Sequence, residues 1–206
     1  IQDIRVDNIK VVDKEYDGTR DATLDTSHPS IYNAVYGNED LRVEYNGGAT
    51  FADANVGKDK VVTVPDDALQ LVGKNSEHFN VTEWIDSSKK PFKGTITQAT
   101  LTITDVTVDP KIYDGNTDAK VEGVTFTGMK NSETLDKEDY TATGKFEDAN
   151  AGDNKKVTVT VTLNDTDTTK NYTLKDGGTF NKTDAKIDKA TYGDKTANGI
   201  AKFGTE

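Results

Sequence analysis

The sequence predicts an all-β protein built from two tandem β-sandwich-like modules, and three observations support this prediction. Apolar residues alternate with Thr and Asp over residues 101–109 and 157–163, a period typical of strands with one buried face. Turn-forming pairs such as Asp17-Gly18 and Asp114-Gly115 separate such runs. The same sequence blocks also occur twice. Many short strands between turns are typical of a sandwich or barrel.

The internal repeat divides the chain. Five blocks recur in the same order, with a period of about a hundred residues, which is the size of an independent domain. The two most similar pairs are Tyr16-Asp17-Gly18-Thr19 with Tyr113-Asp114-Gly115-Asn116, and Phe51-Ala52-Asp53-Ala54-Asn55-Val56-Gly57 with Phe146-Glu147-Asp148-Ala149-Asn150-Ala151-Gly152. We expect a first module over residues 1–98, a second over 99–192, and a tail over 193–206. Because residues 187–191 repeat the junction at 96–100, this tail is interpreted as the start, or a remnant, of a further module.

Composition and charge narrow the possible partners. The chain has 206 residues, a net charge of -11, and a hydrophobic fraction of 33%, which suits thin sandwich cores. The acidic balance argues against nucleic acid, because phosphate binding needs clustered Lys and Arg. No apolar run is long enough to span a membrane, so no membrane insertion is expected. The chain has no cysteine, so disulfides cannot stabilise it. We also expect the chain to be a monomer.

Each repeated block has a structural interpretation. Tyr16 and Tyr113 are expected to pack against the core, and the Asp-Gly pair after each is expected to form a tight turn. Phe51 and Phe146 are expected to anchor the two cores.

The Asp-Ala-Asn-x-Gly block has two interpretations. It fits a plain β-turn, and it also fits the opening of a calcium loop with oxygen ligands at alternate positions. The calcium candidates are Asp53, Asn55, Asp148 and Asn150. The fifth loop position holds Val or Ala and no bidentate Glu follows, which favours the turn and a protein without cofactor.

Catalytic signatures are sparse. The hydrolase elbow, the zinc-protease helix motif and the phosphate-binding loop are all absent. His28 and His78 are the only histidines, and surface positions are the expectation for both, with a Ser-His-Asp arrangement as the alternative. A Lys-to-Asn isopeptide bond is a further alternative that the sequence leaves open. We therefore expect a non-enzymatic protein.

The first module departs most from the repeat, and its divergent stretches carry aromatic residues. Trp84, Tyr32 and Tyr36 are the candidates for a ligand-binding surface, because exposed aromatic rings stack on sugars and anchor protein interfaces. The alternative is that they are ordinary core and edge residues.

The repeated blocks carry a family resemblance. The Tyr-Asp-Gly-(Thr/Asn)-x-x-Ala block, the Phe-x-Asp-Ala-Asn-x-Gly block and the Asn171-Tyr172-Thr173-Leu174 strand resemble the bacterial YDG-type repeat. The first module departs from it, with His78-Phe79-Asn80-Val81 at the last of these positions. The resemblance implies Ig-like or β-grasp-like modules, arranged in tandem in secreted bacterial surface proteins and adhesins. Such proteins are attached to the cell wall through other parts of the parent protein.

Two functions are expected from these observations. One is a non-catalytic stalk or spacer, with the neighbouring repeats of the same chain as its partners. The other is an adhesive module that recognises a host glycan or protein through the first module. Because no run of Pro or Gly lies at residues 97–100, we expect a short, stiff connection and an elongated arrangement.

Overall fold

The structure is a computed structural model that describes residues 1–34 and 40–191. The chain divides into two compact units, Ile1–Gln98 and the residues from Ala99 onward. The predicted tail over residues 193–206 lies outside the described residues. Both units consist of strands and turns, so the predicted all-β, sandwich-like fold is confirmed.

Short strands form the described part of the first unit. They are β1 (Gln2–Asp7), β2 (Lys10–Val11), β3 (Lys14–Glu15), β4 (Leu24–Asp25), β5 (Ser30–Tyr32), β6 (Arg42–Tyr45), β7 (Thr50–Phe51), β8 (Gly57–Thr63), β9 (Leu69–Val72), β10 (Phe79–Trp84) and β11 (Lys93–Thr97). Two sheets have the orders β10-β1-β5 and β3-β11-β8-β7, and the pairs β2-β4 and β6-β9 are two separate two-stranded sheets. A 3-10 turn at Ser76–His78 precedes β10.

Longer strands form the second unit. They are β12 (Ala99–Val108), β13 (Lys111–Ile112), β14 (Asp118–Ala119), β15 (Val121–Thr127), β16 (Tyr140–Phe146), β17 (Gly152–Leu163), β18 (Tyr172–Leu174) and β19 (Thr179–Asp188). The sheets have the orders β15-β12-β18 and β13-β19-β17-β16-β14. Two 3-10 turns, Thr169–Asn171 and Lys175–Gly178, flank β18.

Strand pairing follows the same pattern in both units. The first strand of each unit pairs parallel with a late strand, so that Ile4 lies opposite Val81 and Leu101 lies opposite Leu174. Parallel pairing of this kind needs a long crossover, which the intervening strands supply.

The edge strand that precedes each Tyr-Asp-Gly block also repeats its pairing. Lys14 lies opposite Ile96 in the parallel pair β3-β11, and Lys111 lies opposite Ile187 in the parallel pair β13-β19. The repeat in the sequence is therefore a repeat of strand pairing, down to the register.

The core of the second unit lies between its two sheets. Buried apolar side chains of β12, β16, β17 and β19 form one cluster: Val106, Phe146, Val157, Val159, Val161, Ala185 and Ile187. The alternation over residues 157–163 explains this directly, because every second side chain of β17 points inward.

The first unit buries a comparable set of side chains. Phe51, Ile4, Val6, Ile9 and Ile96 are each 1% exposed or less. Within the residues that the structure describes, no helix is long and apolar enough to cross a membrane.

Candidate functional site

The Tyr-Asp-Gly block forms a closed turn in the first unit. Asp17 accepts a hydrogen bond at Oδ1 from the backbone N–H of Thr19, at 2.8 Å. Gly18 between them has φ 78, a left-handed conformation that suits glycine. This is the local geometry that an Asx turn requires, and it confirms the predicted tight turn.

A lysine side chain connects this turn to a core phenylalanine. Lys14 Nζ donates to Asp17 Oδ1 at 2.9 Å and to the Thr19 carbonyl oxygen at 3.0 Å. The same ammonium lies 5.7 Å from the centre of the Phe51 ring, within the range of a cation–π contact. We call Lys14, Asp17 and Thr19, with their counterparts in the second unit, the Tyr-Asp-Gly clasp.

The second unit repeats this clasp. Lys111 Nζ donates to Asp114 Oδ1 at 2.8 Å and to the Asn116 carbonyl oxygen at 2.8 Å. It lies 5.7 Å from the centre of the Phe146 ring. Phe51 is fully buried and Phe146 is 3% exposed, so both predicted core anchors are confirmed.

The two tyrosines of the block differ in exposure. The backbone N–H of Tyr16 donates to the Thr97 carbonyl oxygen, and that of Tyr113 donates to the Asp188 carbonyl oxygen, both at 2.8 Å. The Tyr16 residue is 4% exposed, whereas Tyr113 is 39% exposed. The prediction of a core-packed tyrosine is therefore confirmed for Tyr16 and wrong for Tyr113.

The Asp-Ala-Asn block forms a second clasp. Asp53 accepts at Oδ1 from the backbone N–H of Asn55 at 2.8 Å and from Lys60 Nζ at 2.7 Å. In the second unit, Asp148 accepts at Oδ1 from the backbone N–H of Asn150 at 2.8 Å and from Lys155 Nζ. The block bends in the same way in both copies, closed by the bond from each aspartate to the N–H two residues on, and we call this arrangement the Asp-Ala-Asn clasp.

The glycine that ends this block lies against the stem of the lysine. A Cβ built on Gly57 would lie 3.2 Å from Lys60 Cδ, and one on Gly152 would lie 3.6 Å from Lys155 Cδ. The lysine stem therefore runs over the glycine before its ammonium reaches the carboxylate.

This geometry bears on the calcium interpretation. The Oδ1 atom of each aspartate, which a calcium ion would need, is already bonded to a lysine ammonium. Calcium takes about six to eight oxygen ligands. Over residues 1–34 and 40–191, no group of three or more His, Cys, Asp or Glu side chains is placed to hold a metal ion. What the structure supports at these positions is a lysine-closed turn.

The clasps set the charge state of their carboxylates. The Lys60 ammonium holds the pKa of Asp53 below its ordinary value, and the Lys155 and Lys111 ammoniums do the same for the pKa of Asp148 and Asp114. A carboxyl with a lowered folded-state pKa stabilises the fold above its unfolded pKa of about 4, and this stabilisation is lost as pH falls through the folded value.

We therefore expect a pH-dependent difference between the natural chain and the double variant Asp53→Asn with Asp148→Asn. The variant should melt at a lower temperature near neutral pH, and the difference should shrink as pH falls below about 4. Thermal melts followed by circular dichroism across this range measure it. A difference that stays constant down to acid pH would contradict the role given to these carboxylates.

The aromatic candidates of the first unit lie on different faces of one sheet. Tyr32 is opposite Arg5 across β5 and β1, whereas Trp84 is opposite Val6, which is fully buried. Tyr32 is 44% exposed, and the Arg5 guanidinium lies 4.9 Å from the centre of its ring. Paired residues share a face, so Tyr32 and Trp84 cannot form one platform. Tyr36 lies outside the described residues.

The histidines do not complete a catalytic relay. Ser27 Oγ donates to Asp25 Oδ1 at 2.6 Å and lies 2.8 Å from His28 Nδ1. In a triad the histidine stands between serine and aspartate, but here the serine stands between the other two. His78 is exposed and lies 3.6 Å from Glu77 Oε1.

Lys111, Asp114 and Asn116 bring together the three groups that an isopeptide bond uses. Lys111 Nζ lies 2.9 Å from Asn116 Oδ1, and Asn116 Nδ2 donates to Asp114 Oδ2 at 2.9 Å. The reaction depends on a buried carboxyl, and the Asp114 side chain is 28% exposed and paired with the lysine ammonium. The arrangement is that of a turn lock, with Thr19 in the place of Asn116 in the first unit.

Sequence reasoning missed the lysines of both clasps. Lys14 and Lys111 stand at the same position before the Tyr-Asp-Gly block, and Lys60 and Lys155 stand at the same position after the Asp-Ala-Asn block. Their repeated spacing from an aspartate was the available signal.

The fold and these repeated clasps define a protein of tandem all-β modules, each closed by its own lysine–carboxylate turns. A family model described as YDG domain matches residues 2–85 and again residues 97–179. The chain belongs to the YDG domain family, with two copies in tandem. The chain matches no curated protein and no solved structure in these comparisons.

Proposed function

We propose that this chain is a non-catalytic spacer segment of a bacterial cell-surface adhesin, in which tandem copies of one module project a distal domain from the cell. The observation that carries the proposal is that both units keep the same two clasps and the same strand register. The features that recur in both units, the clasps and the strand register, are therefore ones that stabilise the fold. A spacer needs copies that fold reliably, and it needs no reactive group.

Charge and composition also support this role. The net charge of -11 keeps neighbouring chains apart by repulsion and favours solubility. The absence of cysteine means that the modules depend on packing and on their lysine–carboxylate turns. The secreted, cell-surface location is proposed from the resemblance to bacterial surface repeats.

Small-angle X-ray scattering tests the spacer role. A stiff spacer gives a maximum dimension far longer than that of a globule of the same mass. The matched control inserts a flexible Gly-Ser linker between Gln98 and Ala99, which should broaden the distance distribution. A natural chain with the dimensions of a single globule, or one indistinguishable from the linker variant, would contradict a stiff spacer.

A second candidate function rests on Tyr32. This exposed ring, stacked by Arg5, belongs to the first unit alone, because Thr127 and Thr102 occupy the corresponding paired positions of the second unit. An exposed aromatic ring beside a guanidinium could stack on a sugar ring of a host glycan or anchor a host protein.

Glycan-array binding of the natural chain and of two variants tests the adhesive alternative. If the first unit is adhesive, Tyr32→Ala abolishes binding to a glycan that the natural chain retains. Trp84→Phe is the control, because Trp84 lies on the opposite face of the sheet and should leave that binding unchanged. An array without any bound glycan favours the spacer.

A further inference from the structure

The two units differ in the segment that leads to each core phenylalanine. Residues 45–51 of the first unit correspond to residues 140–146 of the second, since both segments begin with Tyr and end with Phe. Residues 140–146 form the unbroken strand β16, which pairs with β17 along its whole length. In the first unit, β6 ends at Tyr45 and β7 begins at Thr50. Residues 46–49, Asn-Gly-Gly-Ala, therefore form a loop where the second unit has a strand.

This loop contains an Asn-Gly pair, which has a specific reactivity. The backbone nitrogen of the residue after an asparagine can attack the asparagine Cγ, because this closes a five-membered ring. A side chain on that residue obstructs the attack, and glycine has none. Gly47 has φ 94, and a Cβ built on it would meet nothing within 4 Å, so the space beside its nitrogen is open. A second Asn-Gly pair, Asn198-Gly199, lies outside the described residues.

The asparagine of this pair is accessible and its amide group is weakly held. Asn46 is exposed, so water and hydroxide reach its side chain. Its backbone N–H donates to the Ala68 carbonyl oxygen at 2.8 Å. Its side-chain Nδ2 donates to the Asp67 carbonyl oxygen at 3.3 Å, which is longer than the usual N–H···O distance. The backbone of Asn46 is thus fixed at the end of β6, while its reactive amide is held by one long hydrogen bond.

We propose that Asn46 is a site of spontaneous deamidation through a succinimide. The Gly47 N–H gives its proton to hydroxide, and the nitrogen forms a bond to Asn46 Cγ. The amide nitrogen of Asn46 takes up a proton from water and leaves as ammonia, which completes the succinimide ring. Water then adds to one of the two ring carbonyl carbons and breaks its bond to the ring nitrogen, giving aspartate or isoaspartate. The reaction consumes one water and releases one ammonia, and no group is oxidised or reduced.

The modification is expected to disturb a hydrogen-bonded bridge in the first unit. Tyr45 Oη donates to the Ala22 carbonyl oxygen at 2.8 Å and accepts from the Ala49 N–H at 3.0 Å. Residues 46–48 span the gap between Tyr45 and Ala49. In isoaspartate the side-chain methylene becomes part of the main chain, so this span gains one backbone atom. The bond from Ala49 to Tyr45 should therefore weaken.

Peptide mass spectrometry of the folded chain, aged in mildly alkaline buffer, tests the proposal. Conversion of Asn46 is read from the mass change when an amide becomes an acid, and electron-transfer fragmentation distinguishes isoaspartate from aspartate. Asn150 and Asn154 are internal controls, because both are exposed and they precede Ala151 and Lys155. We expect Asn46 to convert at least roughly tenfold faster than either control, a difference of about 1.4 kcal/mol in activation free energy, with isoaspartate among the products.

Two glycine variants separate the succinimide route from a general effect of the loop. Gly47→Ala places a Cβ beside the attacking nitrogen and should slow conversion by roughly tenfold. Gly48→Ala is the matched control, because Gly48 has a similar φ of 92 and its Cβ would lie 3.5 Å from Pro65 Cγ, an ordinary contact. Both variants bear the cost of a left-handed residue, but Gly48→Ala should deamidate as fast as the natural chain. Equal rates in the two variants would overturn the succinimide route.

The urea-unfolded chain is the reference for the folded loop. An Asn46 that converts in the unfolded chain and stays unchanged in the folded one would show that the fold protects it, and would overturn the proposal. Hydrogen exchange then checks the structural consequence. The Ala49 amide should exchange faster in the isoaspartate-containing fraction than in the unmodified fraction, and equal exchange rates would contradict a disturbed bridge to Tyr45.

Discussion

Replacing Phe146 with alanine is expected to lower the free energy of unfolding of the second unit by about 3–5 kcal/mol. The ring is 3% exposed and packs in the cluster that contains Val157, Val159 and Ile187. Its removal leaves a cavity in a thin core and also removes the ring that faces the Lys111 ammonium. Urea unfolding followed by circular dichroism measures the change.

The matched control is Phe51→Ala in the first unit. Phe51 is fully buried and faces Lys14 at the same distance, so a loss of similar size is expected there. Since each unit has its own core, each variant should shift the unfolding of its own unit. A loss below about 1 kcal/mol for Phe146→Ala would show that this ring is not a core anchor.

Replacing Gly178 with alanine is expected to cost the second unit at least about 2 kcal/mol. A Cβ on Gly178 would lie 2.1 Å from the Val161 carbonyl oxygen and 2.9 Å from Leu174 Cδ1. Backbone cannot move aside as a flexible side chain can, so the start of β19 would have to shift away from β17. The midpoint of urea unfolding reports the loss.

Its neighbour Gly177 provides the control. Both glycines have positive φ, 63 at Gly177 and 79 at Gly178, but a Cβ on Gly177 would meet nothing within 4 Å. Gly177→Ala therefore bears only the cost of a left-handed residue, about 1–2 kcal/mol. Equal losses for the two variants would show that the overlap at Gly178 is relieved without cost.

Local features of the fold were predictable from the sequence because their causes are local. The alternation in residues 157–163 gives β17 its buried face, and Asp17-Gly18 forms the expected turn with Gly18 at positive φ. The repeat itself predicted two modules of one fold, since like sequences adopt like structures.

Strand pairing was not predictable, because parallel neighbours are far apart in the chain. Nothing in Ile4 or Val81 indicates that β1 and β10 lie side by side. A register shift between Ile4 and Arg5 then sets Trp84 opposite the buried Val6, so the sequence alone could not separate Trp84 from Tyr32.

The aspartates of the Asp-Ala-Asn clasps were identified from the sequence, whereas their lysines were not. The sequence marked Asp53 and Asp148 as residues of either a β-turn or a calcium loop, and in the structure each carboxylate accepts from the backbone N–H two residues on. The calcium alternative arose because the block places oxygen ligands at alternate positions. In the structure, one oxygen of each aspartate accepts from the ammonium of a lysine in the following strand. Similarly, the exposure of Tyr113 depends on the surroundings of the folded chain, which its block, shared with Tyr16, does not encode.

Heteronuclear NMR of residues 1–98 and residues 99–191, each produced alone, tests most directly whether every copy folds on its own core. The two amide spectra should overlay on the spectrum of the full chain, apart from residues adjoining the break at Gln98. The amide resonances of Thr19 and Asn116, which belong to the two Tyr-Asp-Gly clasps, should keep the chemical shifts that they have in the full chain. A half that loses its dispersed resonances when separated would mean that its core is not self-sufficient.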